Sequence, residues 1–118
     1  MVVLDFTVSD SPTASGCKLG LQAMEKRKGF LTLAEAGLIG KIGLNSSGLA
    51  ICLNALHCGA FGANRLTTHI MARYVLEHAP GFDIAVEMIR GIGVASTANM
   101  LMGEVSGEFG TVEATPLG

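Results

Sequence analysis

Apolar and polar positions along the first half of the chain predict short β-strands. Residues 38–44 and 49–54 are apolar runs on either side of Asn45-Ser46-Ser47-Gly48. Because Asn and Gly tolerate positive φ, this pattern predicts a β-hairpin. Alternation over residues 19–23 and the apolar run at residues 30–33 flank the charged stretch 25–29, which predicts a second pair of strands joined by a solvated turn.

The helical part of the chain follows these strands. The first predicted helix begins near residues 64–68 and ends before Pro80 and Gly81. Its apolar face is formed, at helical spacing, by Ile70, Met71, Tyr74 and Val75. The second helix has Asp83 as its expected N-cap and places apolar residues 85, 88, 89 and 92 on one face.

Two more strands are predicted after the helices, over residues 100–102 and 111–114, with a turn at residues 106–108. The resulting order, ββββααββ, is typical of the α+β class, in which helices cover one face of a largely antiparallel sheet. Residues 1–16 combine a short apolar stretch with turn-forming residues, and we expect a poorly ordered leader there. The expected domain is therefore residues 17–118.

The composition limits the size and the partners of this domain. With 118 residues, of which 49% are hydrophobic, the chain is long enough for one modest core and too short for two. Only 15% of the residues are charged and the net charge is -2, so there is no basic surface to neutralise phosphates or anionic lipid. Nucleic acid and membrane partners are therefore not expected.

One stretch resembles a membrane span in length and polarity. Residues 42–64 contain no Lys, Arg, Asp or Glu and are about long enough to cross a bilayer. The turn at residues 45–48 and the polar side chains of Asn54 and His57 favour two buried strands instead. The amino terminus has no secretory signal pattern and Leu117-Gly118 is not the end of a peroxisomal tripeptide, so we expect a cytoplasmic protein.

The cysteines do not form a recognisable framework. Cys17, Cys52 and Cys58 are odd in number and lack CxxC spacing, so neither a disulfide scaffold nor a metal site is expected, and a reducing compartment fits best. His57 and Cys58 are adjacent, but consecutive residues on a strand point to opposite faces. Packing or turn roles are therefore favoured over a thiol-imidazole pair.

The middle of the chain carries a family resemblance. Residues 35–48, Glu-Ala-Gly-Leu-Ile-Gly-Lys-Ile-Gly-Leu-Asn-Ser-Ser-Gly, and residues 53–57, Leu-Asn-Ala-Leu-His, resemble the acyl-coenzyme A:6-aminopenicillanic acid acyltransferase family. The resemblance continues more loosely through Thr68-His69-Ile70, residues 73–77 and 94–96 and the last strand. It covers roughly residues 19–116.

This resemblance implies the four-layer αββα sandwich of the N-terminal-nucleophile hydrolases. In that group a precursor cleaves itself before a cysteine, and the new α-amino group acts as the base for acyl transfer or amide hydrolysis. An α-amino group titrates near about 8, so it can activate the adjacent thiol without a histidine. The resemblance also implies that the substrate is a small-molecule acyl donor or an amide. Acyl-coenzyme A is a possible co-substrate in this family, and no bound cofactor is expected.

The segment that carries the nucleophile in this family is not found here. The family's cysteine follows a Gly and precedes an Asn-Trp-Asp segment, whereas this chain has no Trp. Gly16-Cys17 is similar to the cleavage site, yet Cys17 lies too close to Glu35 to leave room for the intervening strands. We therefore expect that Cys17 is not the nucleophile, and that the family's other catalytic asparagine lies beyond Gly118.

Asn54 is the position that the resemblance identifies as a site residue. It follows the strand that begins at Gly48, where related enzymes place an oxyanion or substrate-contact residue. The alternative is an Asn that bonds neighbouring backbone at a strand end. His69 and Arg73, four apart on the first helix, could hold a ligand carboxylate, although a solvated helix face is the commoner arrangement. Glu35 is expected to cap a turn or hold the sheet edge.

Three functions stay open on the sequence alone. The leading one is an internal piece of an acyltransferase-like enzyme, a partial αββα sandwich that is inactive by itself because the nucleophile segment is missing. Half a sandwich exposes the sheet face that its missing layers should cover, so we expect it to bind the remainder of the fold or to self-associate. The second is a minimal amidohydrolase that uses Cys17 after cleavage behind Gly16. The third is a non-catalytic module that binds a small molecule or a protein through the hairpin at residues 38–54 and the two helices.

Overall fold

The structure is a computed structural model that describes residues 2–7, 28–35 and 37–117, the first of these ranges as backbone. Its elements, in chain order, are β1 (Val2–Thr7), β2 (Phe30–Glu35), β3 (Ile42–Asn45), β4 (Leu49–Ala55), α1 (Thr68–His78), α2 (Phe82–Ile92), β5 (Ala98–Glu104) and β6 (Phe109–Ala114). The predicted α+β class is confirmed.

The described strands form one antiparallel sheet. Its six strands follow the order β1-β2-β3-β4-β5-β6, so each strand pairs with its neighbours in the sequence. The two helices enter the chain between β4 and β5, which nevertheless pair along their whole length, from Leu49 opposite Glu104 to Ala55 opposite Ala98. The helix pair is thus an insertion that leaves the sheet at the end of β4 and returns to it at the start of β5.

The first strand differs from the prediction. β2 pairs with β1 on one side and with β3 on the other, so the predicted pairing of residues 19–23 with β2 is wrong. That prediction assumed that strands adjacent in the sequence pair through a short turn, whereas β1 pairs across residues 8–29. Residues 19–23 themselves lie outside the described ranges. β1 lies within the predicted leader at residues 1–16, and the domain boundary at residue 17 stays a prediction.

The predicted β3–β4 hairpin is confirmed, but its Asn has another role. Gly48 has a φ of +88°, and its N–H donates to the carbonyl oxygen of Asn45 at 2.9 Å. Among the described residues only glycines have a positive φ, so Asn45 does not use its tolerance of that region. Its buried side chain instead donates from Nδ2 to the carbonyl oxygens of Leu76 and Ala79, at 3.2 and 2.8 Å. Asn45 therefore joins the hairpin to the end of α1.

The buried face of α1 is rotated from the predicted one. Its buried residues are Thr68, Met71, Ala72, Val75 and Leu76, whereas the predicted Ile70 is 41% exposed. The helix contacts both β3 and β4, and the small side chains of Thr68 and Ala72 allow the close approach to the sheet. Apolar spacing alone does not identify small residues as part of a packing face.

The start of α2 also differs from the prediction. Gly81 is the N-cap residue, and Asp83 lies in the first turn instead. The capping acceptor comes from the sheet, because the Glu104 carboxylate in β5 accepts the N–H of Phe82 at 2.7 Å. The Ser106 hydroxyl, and then this N–H, lower the pKa of the Glu104 carboxyl group by bonding its charged form.

The core lies between the helices and one face of the sheet. Alternate residues of β4 and β5 are fully buried there, namely Leu49, Ile51, Met100 and Met102. They pack against Met71, Val75 and Leu76 of α1 and against Ala85 and Ile89 of α2. This alternation is the period-two pattern of strands that bury one face.

Residues 42–64 do not form a helix. They contain β3, β4 and part of the segment that leads to α1. In the part of the chain that the structure describes, no helix is long and apolar enough to cross a membrane.

Candidate functional site

The sheet has a second face that no described element covers. We call it the outer face, because it is turned away from α1 and α2. Strand alternation from the buried positions assigns the following side chains to it. They are Leu31, Leu33 and Glu35 of β2, Ile42 and Leu44 of β3, Ala50, Cys52 and Asn54 of β4, Asn99 and Leu101 of β5, and Phe109, Thr111 and Glu113 of β6.

The middle of the outer face is apolar and open. Leu31, Leu33, Leu44 and Leu101 are 40 to 48% exposed, and Phe109 is 80% exposed. The register makes these positions neighbours, since Leu31 lies opposite Leu44 and Leu101 lies opposite Cys52. A contiguous apolar surface of this kind is typical of a face covered by another layer of protein.

One end of the outer face is polar. Asn54 lies opposite Asn99, which in turn lies opposite Glu113. Asn99 Nδ2 donates to Thr111 Oγ1 at 2.6 Å, whereas the exposed side chain of Asn54 has no hydrogen-bond partner among the described residues. The alternative for Asn54 was a side chain that bonds neighbouring backbone at the strand end, and no such bond is present among the described residues. An unpaired amide Nδ2 at this place can donate to a ligand oxygen.

A cleft of about 410 Å³ opens at the same end of the sheet. The last residues of β4 and the first residues of α1 and β5 form its walls, together with Lys41, Ser96 and Thr97. Lys41 Nζ lies 3.4 Å from Nε2 of His69. Desolvation, and then the positive charge of Lys41, lower the pKa of His69, so the imidazole is held neutral beside an ammonium group.

His57 and Cys58 lie beyond the end of β4, so the strand-alternation argument used for them does not apply. No hydrogen bond joins the two side chains in the described structure. The backbone N–H of Ala60 lowers the pKa of the Cys58 thiol, because it stabilises the thiolate form. Cys52 is exposed on the outer face.

Arg73 makes contacts within the protein and is not on a solvated face. Arg73 Nε lies 2.6 Å from Glu77 Oε1, and Nη1 donates to the carbonyl oxygen of Gly40 at 3.2 Å. The guanidinium also stacks on the Phe30 ring at 4.0 Å from its centroid. Through these contacts Arg73 attaches α1 to the sheet. The spacing of residues within one helix could not indicate contacts with another part of the chain.

The remaining candidates are placed as follows. Cys17 lies outside the described residues. Glu35 ends β2, is exposed, and stands at the polar end of the outer face. Among the described residues no group of three or more His, Cys, Asp or Glu side chains could hold a metal ion.

Two contacts of α1 had little signal in the sequence. The Lys41–His69 pair joins residues 28 positions apart. Lys41 was noted only within the family-like stretch, and His69 was considered together with Arg73 and not with Lys41. The buried Asn45 was recognised only as a turn residue, since its partners at the end of α1 are 31 and 34 residues away. An Asn followed by Ser-Ser-Gly between two apolar strands is the available signal, and it does not distinguish the two roles.

The sequence of this chain is similar to the sequences of known proteins. A sequence model of a family described as acyl-coenzyme A:6-aminopenicillanic acid acyl-transferase matches residues 8–118. The acyl-coenzyme A:6-aminopenicillanic-acid-acyltransferase 40 kDa form of Emericella nidulans is 32% identical over 85 residues, which are 72% of this chain and 24% of that relative. The chain therefore spans about a quarter of the length of this curated relative.

Proposed function

Since the chain belongs to the acyl-coenzyme A:6-aminopenicillanic acid acyltransferase family, as the resemblance of residues 35–57 predicted, we propose that it forms one helix layer and one sheet of an acyltransferase. In this proposal the second sheet, which carries the nucleophilic cysteine, packs on the outer face to complete an αββα sandwich. The chain contributes Asn54 to the site and does not supply the nucleophile. By itself it is inactive.

The observation that supports this proposal is the uncovered outer face. Covering about half the surface of a Leu side chain contributes about 1 kcal/mol. The five large apolar side chains of the outer face, Leu31, Leu33, Leu44, Leu101 and Phe109, would together contribute about 5 kcal/mol on being covered. This is comparable with the whole stability of a small domain, so a second sheet packed about 10 Å away is strongly favoured over an open face.

Asn54 has the position and chemistry of an oxyanion donor in this arrangement. Its exposed side chain lies at the polar end of the face on which the second sheet would pack, and its Nδ2 has no described partner. In acyl transfer the thiolate adds to a thioester carbonyl, the coenzyme A thiol leaves, and an amine then displaces the enzyme thiol to form an amide. Negative charge develops on the carbonyl oxygen in both steps, and a fixed amide donor stabilises it.

The activity test uses the complete polypeptide that contains this chain. Release of coenzyme A from an acyl-coenzyme A donor, with 6-aminopenicillanic acid as the acceptor, is followed by thiol titration. We expect Asn54→Ala and Asn54→Asp each to lower kcat by about 10² to 10³, because neither side chain can donate to the oxyanion. Asn64→Ala, at another exposed Asn, is the matched control and should retain activity.

Two outcomes would contradict the assignment. Unchanged kcat in Asn54→Ala would show that Asn54 is not a donor in the transition state. Loss of activity in Cys17→Ser, together with a cleaved product that begins at residue 17, would instead support the Cys17-dependent amidohydrolase. We expect Cys17→Ser to retain activity.

A second experiment tests the outer face directly with the 118-residue chain alone. Light scattering after size exclusion should show association, and an apolar dye should bind. The double substitution Leu44→Lys with Leu101→Lys should abolish both effects, whereas Val105→Lys, at a turn residue that is 84% exposed, should leave them unchanged. A monomeric wild-type chain that melts cooperatively and binds no dye would overturn the proposal.

A further inference from the structure

A second cavity lies on the helix side of the sheet, away from Asn54 and the outer face. It has a volume of about 230 Å³ and is formed between α2, β6 and the segment that follows α2. Its floor is apolar, because Ile89, Val94 and Ala114 line it and are buried, with Val86 and Val112 beside them. At about 30 Å³ for each water molecule, the volume suits a ligand of roughly eight non-hydrogen atoms.

Two arginines stand at this apolar cavity. Arg65 and Arg90 both line it and both are exposed. No described carboxylate lies within ion-pair distance of either guanidinium group. Glu113 also lines the cavity, but strand alternation directs its side chain to the outer face. The opening is thus positively charged and has no internal counter-ion among the described residues.

The position of Arg65 is built into the fold. Its backbone adjoins Leu66, which forms a bridge to Val94, and its guanidinium lies over Gly93. A Cβ at Gly93 would be 2.7 Å from Arg65 Nη1, which shows how closely the guanidinium approaches this backbone, and the φ of +74° is what requires a glycine there. Arg90 lies in the last turn of α2, where a positive charge interacts favourably with the helix dipole. The dipole of α2 does not explain why Arg65, from another segment, lies at the same cavity.

We propose that this cavity binds a small carboxylic acid with an apolar chain of about five carbons. The chain would fill the apolar floor, and the carboxylate would bind a guanidinium group, whose planar fork matches two carboxylate oxygens. This binding goes beyond the proposed acyltransferase activity, and it does not require the second sheet or the nucleophile.

The probe is hexanoate, and its binding to the purified 118-residue chain is measured by ligand-observed NMR. This method still works if the protein associates. We expect saturable binding with a Kd on the order of 1 mM, as befits a ligand of this size. Hexanol, which has the same chain without the charge, should bind at least about tenfold more weakly. Hexylammonium should not bind.

Variants separate the two parts of the site. Arg65→Gln with Arg90→Gln should weaken hexanoate at least about tenfold, and because neither arginine has a described ion pair, the fold should be retained. Val86→Phe, which fills the cavity and keeps both charges, should abolish binding. Lys41→Gln removes a cation elsewhere and should have no effect.

Several results would overturn the inference. They are no binding of hexanoate at tens of millimolar, equal affinity for hexanol, or affinity that is unchanged by the double arginine substitution or by Val86→Phe. None of these readouts depends on acyl transfer, so an inactive enzyme with a functional cavity, or the reverse, would be recognised as such.

Discussion

Asn45 offers a direct test of how the sheet is joined to the helix layer. Its side chain is 3% exposed and makes four hydrogen bonds. Nδ2 donates to the carbonyl oxygens of Leu76 and Ala79, and Oδ1 accepts from the N–H groups of Ser47 and Leu49 at 3.0 and 3.1 Å. Substitution of Asn45 by Ala would leave two carbonyl oxygens and two N–H groups to find water or stay unpaired.

The expected loss of stability follows from these four bonds. Each contributes about 1 kcal/mol net, and partial access of water to the end of α1 reduces the sum, so Asn45→Ala should lower the free energy of unfolding by about 2 to 4 kcal/mol. Asn45→Asp should cost at least as much, because a carboxylate would face the same two carbonyl oxygens in a buried place.

The assay is urea unfolding of the 118-residue chain followed by far-ultraviolet circular dichroism. Asn99→Ala is the matched control, since Asn99 donates one exposed hydrogen bond to Thr111, and it should cost less than about 1 kcal/mol. If Asn45→Ala lies within about 0.5 kcal/mol of the wild type, the side-chain bridge between β3 and α1 does not stabilise the fold and the reasoning is refuted.

Three further results are expected. The Thr32 hydroxyl is buried without a hydrogen-bond partner among the described residues, so Thr32→Val should leave the urea midpoint unchanged or raise it; a loss above about 1 kcal/mol would contradict this. Gly43→Ala should lower the free energy of unfolding by more than about 3 kcal/mol, because the Cβ of the alanine would collide with a backbone carbonyl oxygen of β2. Gly59 has open space around it, so Gly59→Ala should be nearly neutral in the same assay. The pKa of His69 is lowered in the folded state, so just below pH 6.5 the folded chain binds fewer protons than the unfolded chain, and stability should fall as the pH drops through that window. Lys41→Met should raise the pKa of His69 in an NMR titration. An unchanged pKa would exclude the Lys41 ammonium group as a cause.

The sequence predicted the local elements of this fold well where a local signal existed. The β3–β4 hairpin, both helices and the last two strands follow from apolar runs, Gly48 and the Pro80-Gly81 stop, all of which act within a few residues. The family resemblance was also carried mainly by two short stretches, residues 35–48 and 53–57. The pairing of β1 with β2 had no such signal, because strands that pair across residues 8–29 are selected by the whole sheet.

The candidate site shows the same division. The sequence determined Asn54 as a candidate and predicted an uncovered sheet face, because strand alternation and the family pattern are both properties of the order of residues. Only the tertiary structure decided that Asn54 has no hydrogen-bond partner among the described residues, that Arg73 attaches α1 to Phe30 and Gly40, and that Lys41 lies beside His69. Each of these depends on how one layer is placed on another. Hydrogen bonds and charge pairs form over a few ångströms in space, and residue spacing reports such distances only within a single helix or strand.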